Sequence, residues 1–289
     1  MFGKRADGVA IKGLNPFYKI IPYIMKKRSD SQVFFEDRVY LDNINAYIKK
    51  KKDEGIRVTH MDIMLTAIGR LLCERPHLNR FAMNGRIYQR NEQVLSLAIK
   101  KKLLDDAVET TVKFKVNPDD TVLDVSKQVA TIVQENKEEN VANGTDKLAK
   151  TIMSFPNFFI KGVVGMIMWL DKHGMLPKKV IDASPFHTSA FLTNLGSLGI
   201  NSIYHHIYDF GTTSIFFAMG NKRYEKDAQG DIRVYMDLKV VADERICDGL
   251  YYARSFLLLR KYLENPELLE EPLSSKHNQS MKDDVISSI

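Results

Sequence analysis

Between Val234 and Tyr262 the hydrophobic pattern switches from a strand period to a helix period across one short junction. No other stretch constrains the fold as much. Val234, Met236, Leu238 and Val240 alternate with Tyr235, Asp237 and Lys239, a strand with one buried face. From Leu250 onward Ala253, Phe256 and Leu257 recur at helical spacing until Asn265-Pro266 stops the run. The junction reads Val241-Ala242-Asp243-Glu244-Arg245-Ile246-Cys247-Asp248-Gly249. A carboxylate and a glycine there imply a tight turn and a fixed negative charge where a ligand could approach.

Other segments extend the same alternation. Pro16 to Arg28 reads as a helix with cations in its last turn, Val33 to Leu41 as a strand, and Asp42 to about Lys52 as a helix. Thr59-His60-Met61-Asp62 resembles a capping box that opens a helix over Ile63 to Cys73, ended by Glu74-Arg75-Pro76. Three strands are expected over Arg86 to Arg90, Val94 to Lys101 and Val108 to Val116, then a helix from Thr121 to about Glu139. His77, in the loop after Pro76, is read as a surface residue, and His173 as a helix cap.

Phe155 to Leu170 is the most apolar run, but its 16 residues contain Lys161 and fall short of the roughly twenty that a membrane span needs. It is read as a buried or interface helix, and no membrane partner is expected.

Composition narrows the class. A chain of 289 residues, 44% hydrophobic and 27% charged, is ordinary for a globular protein. Its charge of +6 suits a phosphorylated ligand or an anionic surface, although solvated lysines are the plainer reading. Cys73 and Cys247 both lie among apolar residues, which points to buried thiols and a reducing compartment. The charged start lacks a secretory core, so a cytoplasmic protein is expected. No metal-ligand spacing, phosphate loop or nucleic-acid motif stands out.

Two stretches carry a resemblance. Glu244-Arg245-Ile246-Cys247-Asp248-Gly249 is similar to the His-x-x-x-Asp-Gly segment of the chloramphenicol acetyltransferase and dihydrolipoyl acyltransferase family, with Glu in place of His. Phe186 to Gly199, containing Thr193-Asn194-Leu195-Gly196, resembles the family's Phe-Thr-x-Ser-Asn-Leu-Gly-x-x-Gly strand and turn, with Thr193 where the family has an oxyanion-stabilising serine. The resemblance covers roughly residues 12 to 271. It implies an α/β domain of the α+β two-layer kind, a mixed sheet covered by helices, between a segment 1–11 and a disordered polar tail 272–289.

The resemblance also implies a function. Acyl groups would pass between coenzyme A and a thiol or hydroxyl acceptor, lipoyl-type or another small molecule, in a homotrimer whose sites lie between subunits. No lipoyl segment or linker precedes this part, so no covalent lipoyl site is expected in the chain. Glu244 is the candidate base, Thr193 the oxyanion donor, and Asp248 the carboxylate that holds the loop by pairing with Arg28. His205 and His206, in a loop that the family places near its channel, and His187, on the strand leading to Thr193, are alternative bases.

The exchange of His for Glu bears on proton transfer. For a thiol of pKa about 8.5, a His near 6.5 is mismatched by roughly 2.7 kcal/mol and a Glu near 4.3 by about 5.7. Burial could raise the Glu and close much of that gap, while Arg245 beside it would act in the opposite sense. The alternative is a non-catalytic homologue that uses the fold for binding or trimer assembly.

Overall fold

The computed structural model describes residues 5–100, 109–137 and 153–275. The expected element ends at Lys101, Val108 and Glu139, and the tail beyond Ser275, lie outside them. The chain begins with β1 (Gly8–Ala10), α1 (Pro16–Ile24), β2 (Gln32–Tyr40), α2 (Asp42–Asp53) and α3 (His60–Glu74). A hairpin of β3 (Arg80–Met83) and β4 (Arg86–Arg90) leads to β5 (Gln93–Lys100) and β6 (Glu109–Val116). After α4 (Val122–Lys137), α5 (Asn157–Lys172) and α6 (Lys178–Ala183) come β7 (Ala190–Asn194), β8 (Ile215–Lys226), β9 (Ile232–Asp243) and α7 (Gly249–Glu264).

The large sheet has the order β2-β9-β8-β7-β5-β6 and is mixed, with β7 parallel to both β5 and β8 and the remaining pairs antiparallel. A smaller antiparallel sheet, β1-β4-β3, stands apart from it. This is the expected two-layer arrangement.

One face of the large sheet carries the core. Leu192, Phe217, Leu238 and Val240 point to the side where Ile63, Leu65, Ile68 and Leu72 of α3 and Tyr252, Leu259 and Tyr262 of α7 are buried. The capping box that opens α3 forms as the sequence indicates. The Asp62 amide donates to Thr59 Oγ1 at 3.3 Å and the Thr59 amide donates to Asp62 Oδ2 at 2.8 Å. Gly69 lets α3 approach β6, because a Cβ there would overlap Val116. The second face is lined by Phe191, Phe216 and Val241 and covered by Ile207 from the loop between β7 and β8.

Of the two readings of the apolar run, a buried or an interface helix, the first does not hold within one chain. In α5 only Asp171 is buried, while Phe158, Met166 and Trp169 are exposed, so within one chain it is not a core helix. No helix among the described residues is long and apolar enough to cross a membrane.

What fastens α5 is charge. Asp171 Oδ1 accepts from Arg5 Nη2 at 2.6 Å and lies 3.2 Å from His187 Nε2, while Arg5 Nε donates to Asp7 Oδ1 at 2.8 Å. Asp7 also accepts from the Thr212 hydroxyl at 3.0 Å. Arg5 and Asp7, just before β1, are thus tied to α5 and to the segment before β8. Burial pushes the Asp171 carboxyl up, but His187 and Arg5 overcome it and hold it at about 2. Burial lowers His187, against the opposing pull of Asp171.

The signs of these shifts define a pH window. A carboxyl depressed from 3.8 to about 2 contributes stability on the order of 2 kcal/mol that is complete above about pH 4 and lost as pH falls toward 2. Denaturant unfolding of wild type and Asp171→Asn should thus differ most near neutral pH, with the gap shrinking between about pH 4 and pH 2. A pH-independent gap would mean that the network holds no ionised Asp171.

Candidate functional site

The turn after β9 is clamped from below. Asp243, fully buried at its base, accepts from Arg245 Nε at 2.8 Å and Nη2 at 2.7 Å, and from the Ser31 hydroxyl at 3.0 Å. Arg28 Nε stands 3.5 Å from the same carboxylate. Arg28 also donates through Nη1 to the carbonyls of Tyr208 at 2.7 Å and Gly211 at 3.1 Å, joining the segment after α1, the loop before β8 and the end of β9. Burial lowers the Arg28 pKa and Asp243 opposes that. Tyr252 Oη donates to the Asp243 carbonyl at 2.8 Å, tying α7 to the same point.

The expected pair between Arg28 and Asp248 is therefore replaced by Arg28 and Asp243. Asp248 is exposed and is the N-cap of α7, accepting from the Tyr251 amide at 2.8 Å and the Tyr18 hydroxyl of α1 at 3.0 Å. Those two donors hold its carboxyl below the usual carboxylate range. The physical reason is position. Asp243 still belongs to the strand and points inward, whereas Asp248 must face the free amides that begin a helix. Gly249 follows with a backbone open to other residues and empty space at its Cβ, so it leaves surface room beside Asp248 and does not make the tight turn.

Glu244 sits above the clamp. Its amide donates to the Ser31 carbonyl at 2.8 Å and its side chain is exposed. Arg245, Ile246 and Cys247 are buried between Glu244 and Asp248, so the turn holds two exposed carboxylates on a buried base. Burial pushes the Cys247 thiol up to about 12, and Cys247 and Cys73 are both free, as the sequence indicates.

Thr193 lies elsewhere. It is half-buried on β7 and shares the second face of the sheet with Phe191, Phe216 and Lys239. Its hydroxyl forms no hydrogen bond within the described residues. The turn that follows is drawn close to β8 because Gly196 has no Cβ to meet the Gly220 carbonyl. His205 is over the same face, its ring stacked on Phe216 at 4.1 Å. His206 is exposed and packs its ring edge to face with Tyr208 at 4.6 Å. His187 is withdrawn into the Asp171 network, with Nδ1 2.8 Å from Ser184 Oγ.

The register fixes how far apart these groups are. Ala190, Ile215 and Ala242 share one row; Thr193 lies three residues to one side of it and Glu244 two residues to the other, two strands away. With about 3.3 Å per residue and about 4.8 Å per strand, they are on the order of 20 Å apart. One chain thus brings Thr193 and His205 onto a common face, and Glu244 and Asp248 onto a common turn, but does not join the two pairs. Sequence reasoning missed Asp243, Tyr18 and Tyr252. The Asp243-x-Arg245 spacing at the end of a strand was the one visible sign of the clamp.

No protein-family model matches the sequence, and no curated protein matches it. Solved structures do match. The probable dihydrolipoamide acetyltransferase of Listeria monocytogenes superposes over 88% of this chain and 94% of its own, with TM-score 0.56 and 15% identity. The fold is that of an acyltransferase catalytic domain. Dihydrolipoamide acetyltransferase of Azotobacter vinelandii covers 90% of this chain and 94% of its own, with TM-score 0.57 and 13% identity. A chloramphenicol acetyltransferase covers 89% and 98%, with TM-score 0.53 and 14% identity. At such identities the likeness is one of architecture.

The two aspartates of the turn should separate in stability. Asp243→Ala leaves Arg28 and Arg245 uncompensated in the interior and is expected to cost about 3–5 kcal/mol. Asp248→Ala removes a helix cap and an exposed contact with Tyr18, about 1 kcal/mol in all. Denaturant melts of the two variants measure this directly, and equal costs would contradict the assignment of Asp243 as the buried anchor.

Proposed function

We propose that this protein is an acyltransferase that moves an acyl group between coenzyme A and a thiol or hydroxyl acceptor. The observation that carries the reading is the clamped turn. A buried Asp243 with two arginines fixes Glu244 and Asp248 at the strand-to-helix junction, in a fold shared with acyltransferase domains.

In this reading Glu244 takes the proton from the acceptor S–H or O–H as that atom attacks the thioester carbonyl. The Thr193 hydroxyl donates to the tetrahedral oxyanion, and collapse expels the coenzyme A thiolate, which recovers the proton from Glu244. No bond to the enzyme is formed. Since Glu244 is exposed in one chain and roughly 20 Å from Thr193, a homotrimer would supply the missing half, with the turn of one subunit facing Thr193 of the next. The adjacent subunit would also provide the burial that a carboxylate needs to act as base toward a thiol. Asp248 would hold Tyr18 and the start of α7 in place.

A second reading, a binding or assembly module without catalysis, is favoured by the exposure of Glu244. Assays of acetyl-coenzyme A with a panel of thiols and alcohols separate the two. Under the acyltransferase reading, Glu244→Gln abolishes turnover with coenzyme A affinity intact, and Thr193→Val lowers kcat by about a hundredfold. Turnover that survives Glu244→Gln and disappears in His205→Ala or His206→Ala would move the base to that loop. A folded wild type that binds coenzyme A and acylates none of the panel would favour the binding module.

A further inference from the structure

The sequence has a single tryptophan, Trp169, and it lies on the outward face of α5, 53% exposed. Every fourth or third position along that face is open. Phe158 is 79% exposed and Met166 56%, and a Cβ added at Gly162 or Gly165 would meet nothing. The opposite face, through Ile160, Val163, Ile167 and Leu170, is half-buried. A helix apolar on both faces is one that has a second surface to cover it.

Among the described residues of α1 and α5, the exposed charges beside this stripe have one sign. Lys161 and Lys172 follow one edge of it at helical spacing, and both are exposed. The single carboxylate of α5, Asp171, is buried under Arg5 and His187, and α1 carries none. The C-terminal end of α1 adds exposed Tyr23 and Ile24, then exposed Lys26 and Lys27, and joins Met168 and Lys172 in lining a cleft of about 380 Å³. Asp209 in that cleft is already occupied by the amides of Arg28 and Ser29. Self-association through this face would leave its lysines without counter-charges. Anionic lipid supplies both an apolar layer and the missing negative charge.

We propose that the outward stripe of α5, with the C-terminal end of α1, is a docking face that lies on the surface of a membrane containing anionic phospholipid. At about 1.5 Å per residue the 16 residues of α5 reach about 24 Å, less than the roughly 30 Å of a hydrocarbon core, so the helix rests in the interface and does not span it. Trp169 and Phe158 enter the boundary between headgroups and acyl chains, and the lysines meet phosphates. This departs from the expectation drawn from the sequence, in which this helix has no membrane partner. It uses none of Glu244, Asp248 or Thr193, so it stands independently of the acyltransferase reading.

The experiment mixes the full chain with vesicles of phosphatidylcholine, with and without phosphatidylglycerol, and follows Trp169 emission and co-sedimentation. Expected are a blue shift and sedimentation with the anionic vesicles, weakened by salt and absent with phosphatidylcholine alone. Lys161→Gln with Lys172→Gln should partition about thirtyfold less, at roughly 1 kcal/mol for each lysine. Phe158→Glu, a change at an exposed site, should abolish the blue shift while leaving the far-ultraviolet spectrum intact. The proposal is overturned if wild type neither shifts nor sediments at low salt, or if these variants bind like wild type. It is equally overturned if Trp169 is shielded from a soluble quencher without vesicles in a manner that depends on protein concentration, since a second copy would then be the occupant.

Discussion

The carboxylate of Asp243 is the point on which the junction between β9 and α7 depends. It ends β9, which lies between β2 and β8, accepts from Arg245 and Ser31, and stands against Arg28, whose guanidinium reaches carbonyls on the loop before β8. Two cations around one buried anion would be unfavourable if any partner were missing, so the arrangement is satisfied as a whole or not at all. That condition, together with the burial of Ile246 and Cys247 in the main core, holds the turn at Glu244. It also links α1 to α7, because the same turn positions Asp248 to meet Tyr18.

A second ionic centre, around Asp171, does similar work where the chain has little hydrophobic contact to offer. α5 buries almost nothing of itself, and its C-terminal end is held by Arg5 and His187. The two centres divide the labour of the fold. The interior between the helices and the first face of the sheet supplies bulk stability through apolar burial, and the ionic pairs decide where the peripheral segments attach.

Much of this was legible in the sequence, and the failures have physical causes. Long periodic segments declared themselves, so β2, α2, α3, β9 and α7 appear within a few residues of their expected bounds. β1, β3 and α6 run to 3, 4 and 6 residues, too short for a period to register. Arg28 was matched with Asp248 through the resemblance, and nothing in the sequence shows that Asp243, five positions earlier, is the carboxylate that points inward. α5 was read as a buried or interface helix because its composition reports how apolar it is, not what covers it. The distance between Thr193 and Glu244 depends on strand order, which no local pattern contains.

Cys247 offers a different view of the junction. Its thiol lies inside the turn, 4% exposed and pushed up to about 12 by burial, with Glu244 and Asp248 exposed on either side. While the turn stays closed it is shielded from alkylating reagents, and Cys73, half-buried on α3, is an internal reference in the same chain. The rate at which Cys247 is trapped under native conditions therefore counts the openings of this segment. Any ligand or subunit contact that tightens the turn would slow that clock, whichever chemistry the junction performs.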